Sequence, residues 1–126
     1  MAGVLAAGVV CAQTSTMVVP VKKTPANNGT QMYANYCAPC HGMDGKGNGP
    51  VASEMKQRPT DLSVISKNNG GVFPDGKVAA MLKFGTPIPA HGTAQMPIWG
   101  QLFGNSIERD LRVRNLVSYI RDLQVK

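Results

Sequence analysis

The chain has 126 residues and a mass of 13.4 kDa, which is enough for one domain with a single core and too little for two. Its net charge of +6 comes from scattered Lys and Arg, with no run of like charges typical of a nucleic-acid-binding tail, so nucleic acid is not an expected partner. With only three Phe, three Tyr and one Trp, the chain is short of aromatic side chains for a dense core, and a large apolar cofactor would help to fill it.

The N-terminal residues predict an export signal followed by a tether. Residues 1–12, MAGVLAAGVVCA, are apolar, too short to span a bilayer, and end in Val10-Cys11-Ala12, which suits signal peptidase. We interpret them as a signal-peptide remnant that lacks its basic region, and we expect a periplasmic or otherwise exported protein. A disordered N-terminus and an uncleaved or Cys11-lipidated membrane anchor are the alternatives. Residues 13–28 show no periodicity and predict a flexible tether, so the folded domain is expected over 29–126.

Helical spacing then appears in three places. A short helix is predicted from Gly29 into Cys37, with Asn27 or Asn28 as its N-cap. Residues 42–74 are rich in Gly, Pro and Asn and predict a loop with at most one or two short turns. A second helix is predicted over Gly76–Phe84, ending at Gly85 before two prolines.

The clearest helix is predicted over Ile107–Leu123. Asn105 and Glu108 resemble a capping box at its start. Its predicted apolar stripe consists of Ile107, Leu111, Leu116, Ile120 and Leu123. Because no alternating run is long enough for a sheet, we predict an all-α fold with long Gly/Pro-rich loops.

Cys37-Ala38-Pro39-Cys40-His41 is the C-x-x-C-H pattern, in which two thiols add to the vinyl groups of a haem and the imidazole binds its iron. Three other interpretations compete with it. A thioredoxin-like redox pair needs a βαβ context, which the sequence lacks. A zinc site needs two more ligands, and only Cys11 and His91 remain. A plain disulfide would not need His41. We therefore predict one covalently bound haem c.

Around this motif the chain resembles the class I, monohaem cytochrome c family, over roughly Gly29 to Gln124. YANYCAPCHGMDGKGNGP is similar to the N-terminal helix, haem site and following loop of that family, and NLVSYIRDLQ is similar to its C-terminal helix. The resemblance implies a small cytochrome c fold in which these helices cross over the haem, with Gly29 allowing close approach beside Tyr33 and Tyr119. It also implies that the carbonyl of Pro50 accepts a hydrogen bond from the ring of His41.

The sixth iron ligand has several candidates, because the chain holds seven methionines and one further histidine. Most of the methionines are unsuitable by position: Met1 and Met17 precede the domain, Met32 faces the helix crossing, Met43 and Met55 lie close to His41 in sequence, and Met81 is on a helix stripe. Met96, in HGTAQMPIWGQLF, resembles the distal Met-Pro segment of the family. We predict Met96 as the ligand, with His91 or an open position as alternatives.

Two further residues are predicted in the haem environment. Arg58, in the segment RPTDL, resembles a family position near the haem propionates, and its alternative is an exposed arginine. Trp99 is expected to pack against the haem or to donate a hydrogen bond to a propionate.

With His41 and Met96 on the iron, the resemblance implies a six-coordinate haem that cycles between Fe(III) and Fe(II), and thus an electron carrier with no catalytic residues. The alternatives are a five-coordinate haem that activates peroxide or binds a gas, and a subunit of a larger oxidoreductase. We expect a monomer that docks weakly, through the haem edge near Lys46, on partners such as a terminal oxidase or a dehydrogenase. Its basic surface also suits peripheral contact with anionic lipid.

Overall fold

The computed structural model describes residues 22–85 and 96–126, and within these ranges it contains helices and no strand. The prediction of an all-α fold is confirmed. The helical elements are α1 (Gly29–Met32), a π-helical segment (Tyr33–Cys37), α2 (Ala38–His41), two 3₁₀ helices (Ala52–Glu54 and Leu62–Val64), α3 (Ile65–Asn68), α4 (Asp75–Phe84), α5 (Trp99–Leu102) and α6 (Ser106–Asp122).

The first helical stretch runs without a break from Gly29 to His41. Asn28 is its N-cap, since its side-chain oxygen accepts a hydrogen bond from the Gln31 amide at 2.9 Å. Pro39 has no amide hydrogen to donate, and just before it the Ala38 N–H bonds to the Tyr33 carbonyl five residues back. The result is a π-helical turn of the kind that often occurs at functional sites, directly ahead of Cys40 and His41.

This stretch packs across α6 at a close crossing. A Cβ atom on Gly29 would lie 2.5 Å from the Asn115 carbonyl oxygen, so only glycine fits there. The rings of Tyr33 and Tyr119 meet beside it with centroids 4.7 Å apart. The close approach implied by the family resemblance is therefore present. The buried core around the crossing consists of Met32, Tyr33, Tyr36, Cys37, Ala38, Leu82, Trp99, Phe103, Val113, Leu116, Val117 and Ile120.

The α6 helix forms where predicted but buries a different face. Ile107 is 82% exposed and Leu111 is 38% exposed, so the N-terminal half of the predicted stripe is wrong. The buried positions are Arg112, Val113, Leu116, Val117 and Ile120. Leu116 and Ile120 were predicted correctly. The face of α6 that packs against α1 and α4 begins only at its second turn, where the charged residue Arg112 is buried.

The loop between α2 and α4 contains two 3₁₀ helices and α3, one element more than predicted. The C-terminal residues fasten it: Gln124 donates to the Leu62 carbonyl at 2.6 Å and accepts from the Ser66 amide at 2.8 Å. The α4 helix begins one residue earlier than expected and ends, as expected, before Gly85, which has a φ of +75°.

Residues 22–28, predicted as part of the tether, pack against the domain instead. Thr24 is only 3% exposed, and its carbonyl accepts a hydrogen bond from Arg112 at 2.7 Å. The Asn115 side chain donates to the Ala26 carbonyl at 2.9 Å. These long-range partners cannot be recognised from the local composition. The predicted signal-peptide remnant, Cys11 and residues 13–21 of the tether lie outside the described residues, as do 86–95. Within the described ranges, the helices are all too short or too polar to cross a membrane.

Candidate functional site

A pocket opens between the end of α2, the loop before the second 3₁₀ helix and the start of α5. It encloses about 550 Å³ of space, including the part open to solvent. Its walls are formed by Tyr36, Cys40, His41, Met55, Gln57, Arg58, Pro59, Thr60, Met96, Pro97 and Trp99. Five of the seven predicted site residues, Cys40, His41, Arg58, Met96 and Trp99, therefore line one space.

His41 is held firmly at the end of α2. It is 8% exposed, and its carbonyl accepts a hydrogen bond from the Gly47 amide at 2.8 Å. Its ring Nδ1 lies 2.9 Å from the Thr60 carbonyl oxygen, which can only accept, so Nδ1 carries the proton. Burial lowers the pKa of His41, and the Thr60 bond opposes that shift only in part. The ring is thus neutral, with its lone pair on Nε2, which is the form that binds metals.

The partner of the His41 ring is Thr60 and not Pro50, so the role predicted for Pro50 is wrong. The Gly49 amide donates to the Cys40 carbonyl and the Val51 amide donates to the Pro39 carbonyl, each at 3.0 Å. These bonds hold residues 49–51 against α2, with Pro50 exposed to solvent. The segment before Leu62 comes close to His41 instead, because Gly47 allows the Pro59 carbonyl to approach and the Leu62 amide donates to the Gly45 carbonyl.

Cys37 and Cys40 lie one helical turn apart and are not joined by a disulfide. Cys37 is buried, and burial together with the neighbouring Cys40 raises the pKa of its thiol to about 12. Burial also raises the pKa of Cys40, which lines the pocket. Catalytic redox pairs show the opposite shift, toward a stabilised thiolate, so the direction of both shifts differs from that of a thioredoxin-like pair. Across 22–85 and 96–126, no three His, Cys, Asp or Glu side chains are grouped to hold a metal ion.

Trp99 and Met96 form a second wall of the pocket. Trp99 is 6% exposed and stacks on both Tyr36 and Phe103, with ring centroids 5.3 Å and 5.8 Å away, and the Tyr36 and Phe103 rings lie 5.6 Å from each other. Met96 is half-buried and lines the pocket three residues before Trp99. His91, the alternative ligand, lies outside the described residues.

Arg58 lies at the rim of the pocket. It is exposed, and its guanidinium donates long hydrogen bonds of 3.4 Å to the carbonyls of Gly47 and Lys46. A cation at this rim suits a carboxylate-bearing ligand.

The sequence analysis missed several residues of the wall: Tyr36, Met55, Gln57, Pro59, Thr60 and Pro97. Tyr36 had a recognisable signal, because it lies four residues before Cys40 on the same side of a helix. Met55 was set aside because it lies close to His41 in sequence. Gln57, Pro59 and Thr60 had no local signal, since the approach of this segment to Gly47 is a contact between distant residues.

The donor set of this pocket fits a covalently bound haem c. A cysteine sulfur, an imidazole with a free Nε2 lone pair and a thioether share one space, a second thiol is buried one turn away, and an arginine stands at the rim. Two cysteine thiols are what covalent haem attachment requires, and imidazole and thioether groups are among the side chains that can bind haem iron.

Comparison with known proteins gives two matches. The family model described as Cytochrome c matches residues 26–124. Over 106 residues the chain is 28% identical to a protein of Sinorhizobium medicae (strain WSM419) named Cbb3-type cytochrome c oxidase subunit FixP. This alignment covers 80% of the chain and 32% of the relative, so the chain spans about a third of that protein's length. No solved structure matches the chain at a significant level.

Proposed function

This chain belongs to the cytochrome c family, and from that premise we propose that it carries single electrons through one covalently bound haem c with His41 and Met96 as its iron ligands. The observation that supports the proposal most strongly is the meeting of Cys40, His41 and Met96 in a single pocket. When bound, the haem supplies reversible one-electron Fe(III)/Fe(II) chemistry.

The side chains of the pocket have distinct roles in this proposal. Cys37 and Cys40 attach the cofactor through thioether bonds. His41 binds the iron through Nε2, and the Thr60 carbonyl on Nδ1 fixes the orientation of the ring and raises its basicity. The soft sulfur of Met96 favours the reduced iron and so raises the reduction potential.

The same arrangement favours a carrier over an enzyme. With His41 and Met96 both holding the iron, no open position would remain for peroxide or a gas, and the buried ring of Trp99 lines the pocket together with Met96. Arg58, at the rim, would pair with a propionate.

We further propose that the partner is a terminal oxidase, because the FixP relative is named as an oxidase subunit. Lys46, Lys56 and Arg58 are exposed on or beside the pocket loop and provide a basic face for an acidic partner. Electron transfer should then slow as salt is added, since screening weakens the steering of docking. A second candidate rests on the same relative: the chain acts as a bound subunit of an oxidase complex and not as a free carrier. Stable copurification with catalytic subunits would identify this role. Covalent attachment of this type takes place outside the cytoplasm, so the proposal includes export.

Haem attachment is tested by the mass of the purified protein and by its pyridine haemochrome spectrum. We expect one covalent haem in the wild type and none in the Cys37→Ala/Cys40→Ala double variant. Cys11→Ala is the matched control and should retain its haem. If the ferrous wild type bound one carbon monoxide per haem without displacing Met96, the iron would have an open position. That result would contradict the carrier and support the open-site alternative.

A further inference from the structure

A buried network connects the segment before α1 with the wall of the pocket. We call residues 22–28 the N-terminal strap. Arg112 is 4% exposed and donates to both the side-chain oxygen and the carbonyl oxygen of Thr24, at 3.1 Å and 2.7 Å. The Thr24 hydroxyl lies 2.6 Å from the Tyr36 hydroxyl, which also lies 2.7 Å from the Lys22 carbonyl oxygen.

The direction of every hydrogen bond in this network follows from its two ends. A guanidinium only donates, so the Thr24 oxygen accepts from Arg112. A carbonyl only accepts, so the Tyr36 hydroxyl donates to Lys22. The Thr24 hydroxyl must therefore donate its hydrogen to the Tyr36 oxygen. Each hydroxyl both donates and accepts, and neither can be removed without leaving a buried partner unsatisfied.

The other contacts of Arg112 hold this network in place. Glu108 accepts from Arg112 at 2.7 Å, and the guanidinium lies 5.9 Å from the centroid of the Phe103 ring. Phe103 in turn stacks on Trp99. The charge is thus buried between the strap and the aromatic residues that support the Met96 side of the pocket.

Tyr36 belongs to both the network and the pocket. Its hydroxyl bonds to the strap, while its ring lines the pocket and stacks on Trp99. If Thr24 lost its hydroxyl, a buried N–H of Arg112 and the Tyr36 oxygen would both require water as a replacement partner. That water would lie next to the wall that separates the pocket from the strap.

We propose that Thr24 and Arg112 are positioning residues that hold Tyr36 against Trp99 and thereby keep the Met96 side of the pocket closed to outside ligands. The inference rests on the proposed function, because it requires haem iron in the pocket. It assigns a role to the strap, which is distant in sequence from the haem-binding motif.

The test measures how tightly imidazole binds to the ferric holoprotein. Imidazole displaces the methionine from the iron, and the change in the absorption spectrum reports its binding. Thr24→Val, which keeps the shape and removes the hydroxyl, should bind imidazole roughly tenfold more tightly, as expected for loss of a buried hydrogen bond to a charged group. Thr24→Ser retains the hydroxyl and should bind within about twofold of the wild type. Tyr36→Phe should behave like Thr24→Val.

Two controls separate positioning from a general loss of stability. Thr30→Val makes the same change at an exposed site in α1 and should leave imidazole binding unchanged. Ile120→Val weakens the core away from the network and should lower thermal stability without tightening imidazole binding. The proposal is overturned if Thr24→Val follows Ile120→Val, or if Thr24→Ser fails to restore wild-type binding. A wild type that binds no haem would overturn the proposed function itself, a result distinct from either of these.

Discussion

The two walls of the pocket are built in different ways. On the His41 side, backbone hydrogen bonds join residues close in sequence: Gly42 to Ala38, Gly47 to His41 and Gly49 to Cys40, all between 2.8 and 3.0 Å. On the Met96 side, the support comes from side chains: Trp99 stacks on Tyr36 and Phe103, and Tyr36 is tied to the strap.

This difference predicts which of the two proposed iron ligands dissociates first. Local backbone bonds reform within one loop, whereas the stacked rings depend on α6, the strap and the first helix being in place together. Segments with few buried contacts open at lower free energy than the rest of a fold, and residues 96–98 are half-buried or exposed. The Met96 side should therefore open under heat, acid or denaturant while His41 stays in position.

Removing Trp99 should break the Met96 side with the largest effect. Trp99→Ala deletes a buried ring and should lower the free energy of unfolding by about 3–5 kcal/mol. We expect the absorption band of iron-bound methionine to disappear while the histidine remains bound. Trp99→Phe keeps a stacking ring and should retain the band. Persistence of the band in Trp99→Ala would show that the stack does not support Met96.

Gly49→Ala should break the His41 side. A Cβ atom there would collide with the carbonyl oxygens of Ala38 and Pro39, so we expect a loss of about 1–3 kcal/mol in denaturant unfolding and a lower yield of holoprotein. Gly76→Ala is the matched control, because its Cβ would meet open space within α4. It should raise stability by about 0.5–1 kcal/mol. Equal effects of the two variants would refute the packing described for α2.

Acid should act on the Met96 side through Glu108. The Arg112 hydrogen bond holds the pKa of Glu108 below its ordinary value, and Lys23 adds to this shift. A carboxyl with a lowered folded-state pKa stabilises the fold above its unfolded pKa of about 4.3, and this contribution is lost as the pH falls through the folded value. Glu108→Gln should therefore lose less stability than the wild type as the pH falls below about 4.3. Glu54→Gln, at an exposed site, should follow the wild type.

The smallest effect is expected at Pro50. Because Thr60 accepts the His41 ring N–H, Pro50→Ala should change neither the reduction potential nor the histidine ring resonances, and should alter stability by less than about 0.5 kcal/mol. A loss of the ring hydrogen bond in this variant would restore the role first predicted for Pro50.

The elements that could be predicted from sequence are those set by neighbouring residues. Asn28 and Asn105 cap helices, Gly85 ends α4, and one turn of helix places Cys37 beside Cys40 and His41. The features that could not be predicted depend on distant partners. Arg112 is buried because Thr24 accepts its hydrogen bonds across 88 positions, and Thr60 replaces Pro50 because of a contact at Gly47. The spacing of apolar residues also predicted that Ile107 would be buried, but it faces solvent.

The central claim is that His41 and Met96 are the two iron ligands. It is tested most directly by the weak long-wavelength absorption band that methionine sulfur produces on ferric haem iron. We predict that the wild type shows this band, that Met96→Ala loses it while keeping its covalent haem, and that Met55→Ala, which changes the other methionine of the pocket, retains it. A high-spin wild-type spectrum without the band, or loss of the band in Met55→Ala alone, would contradict the claim.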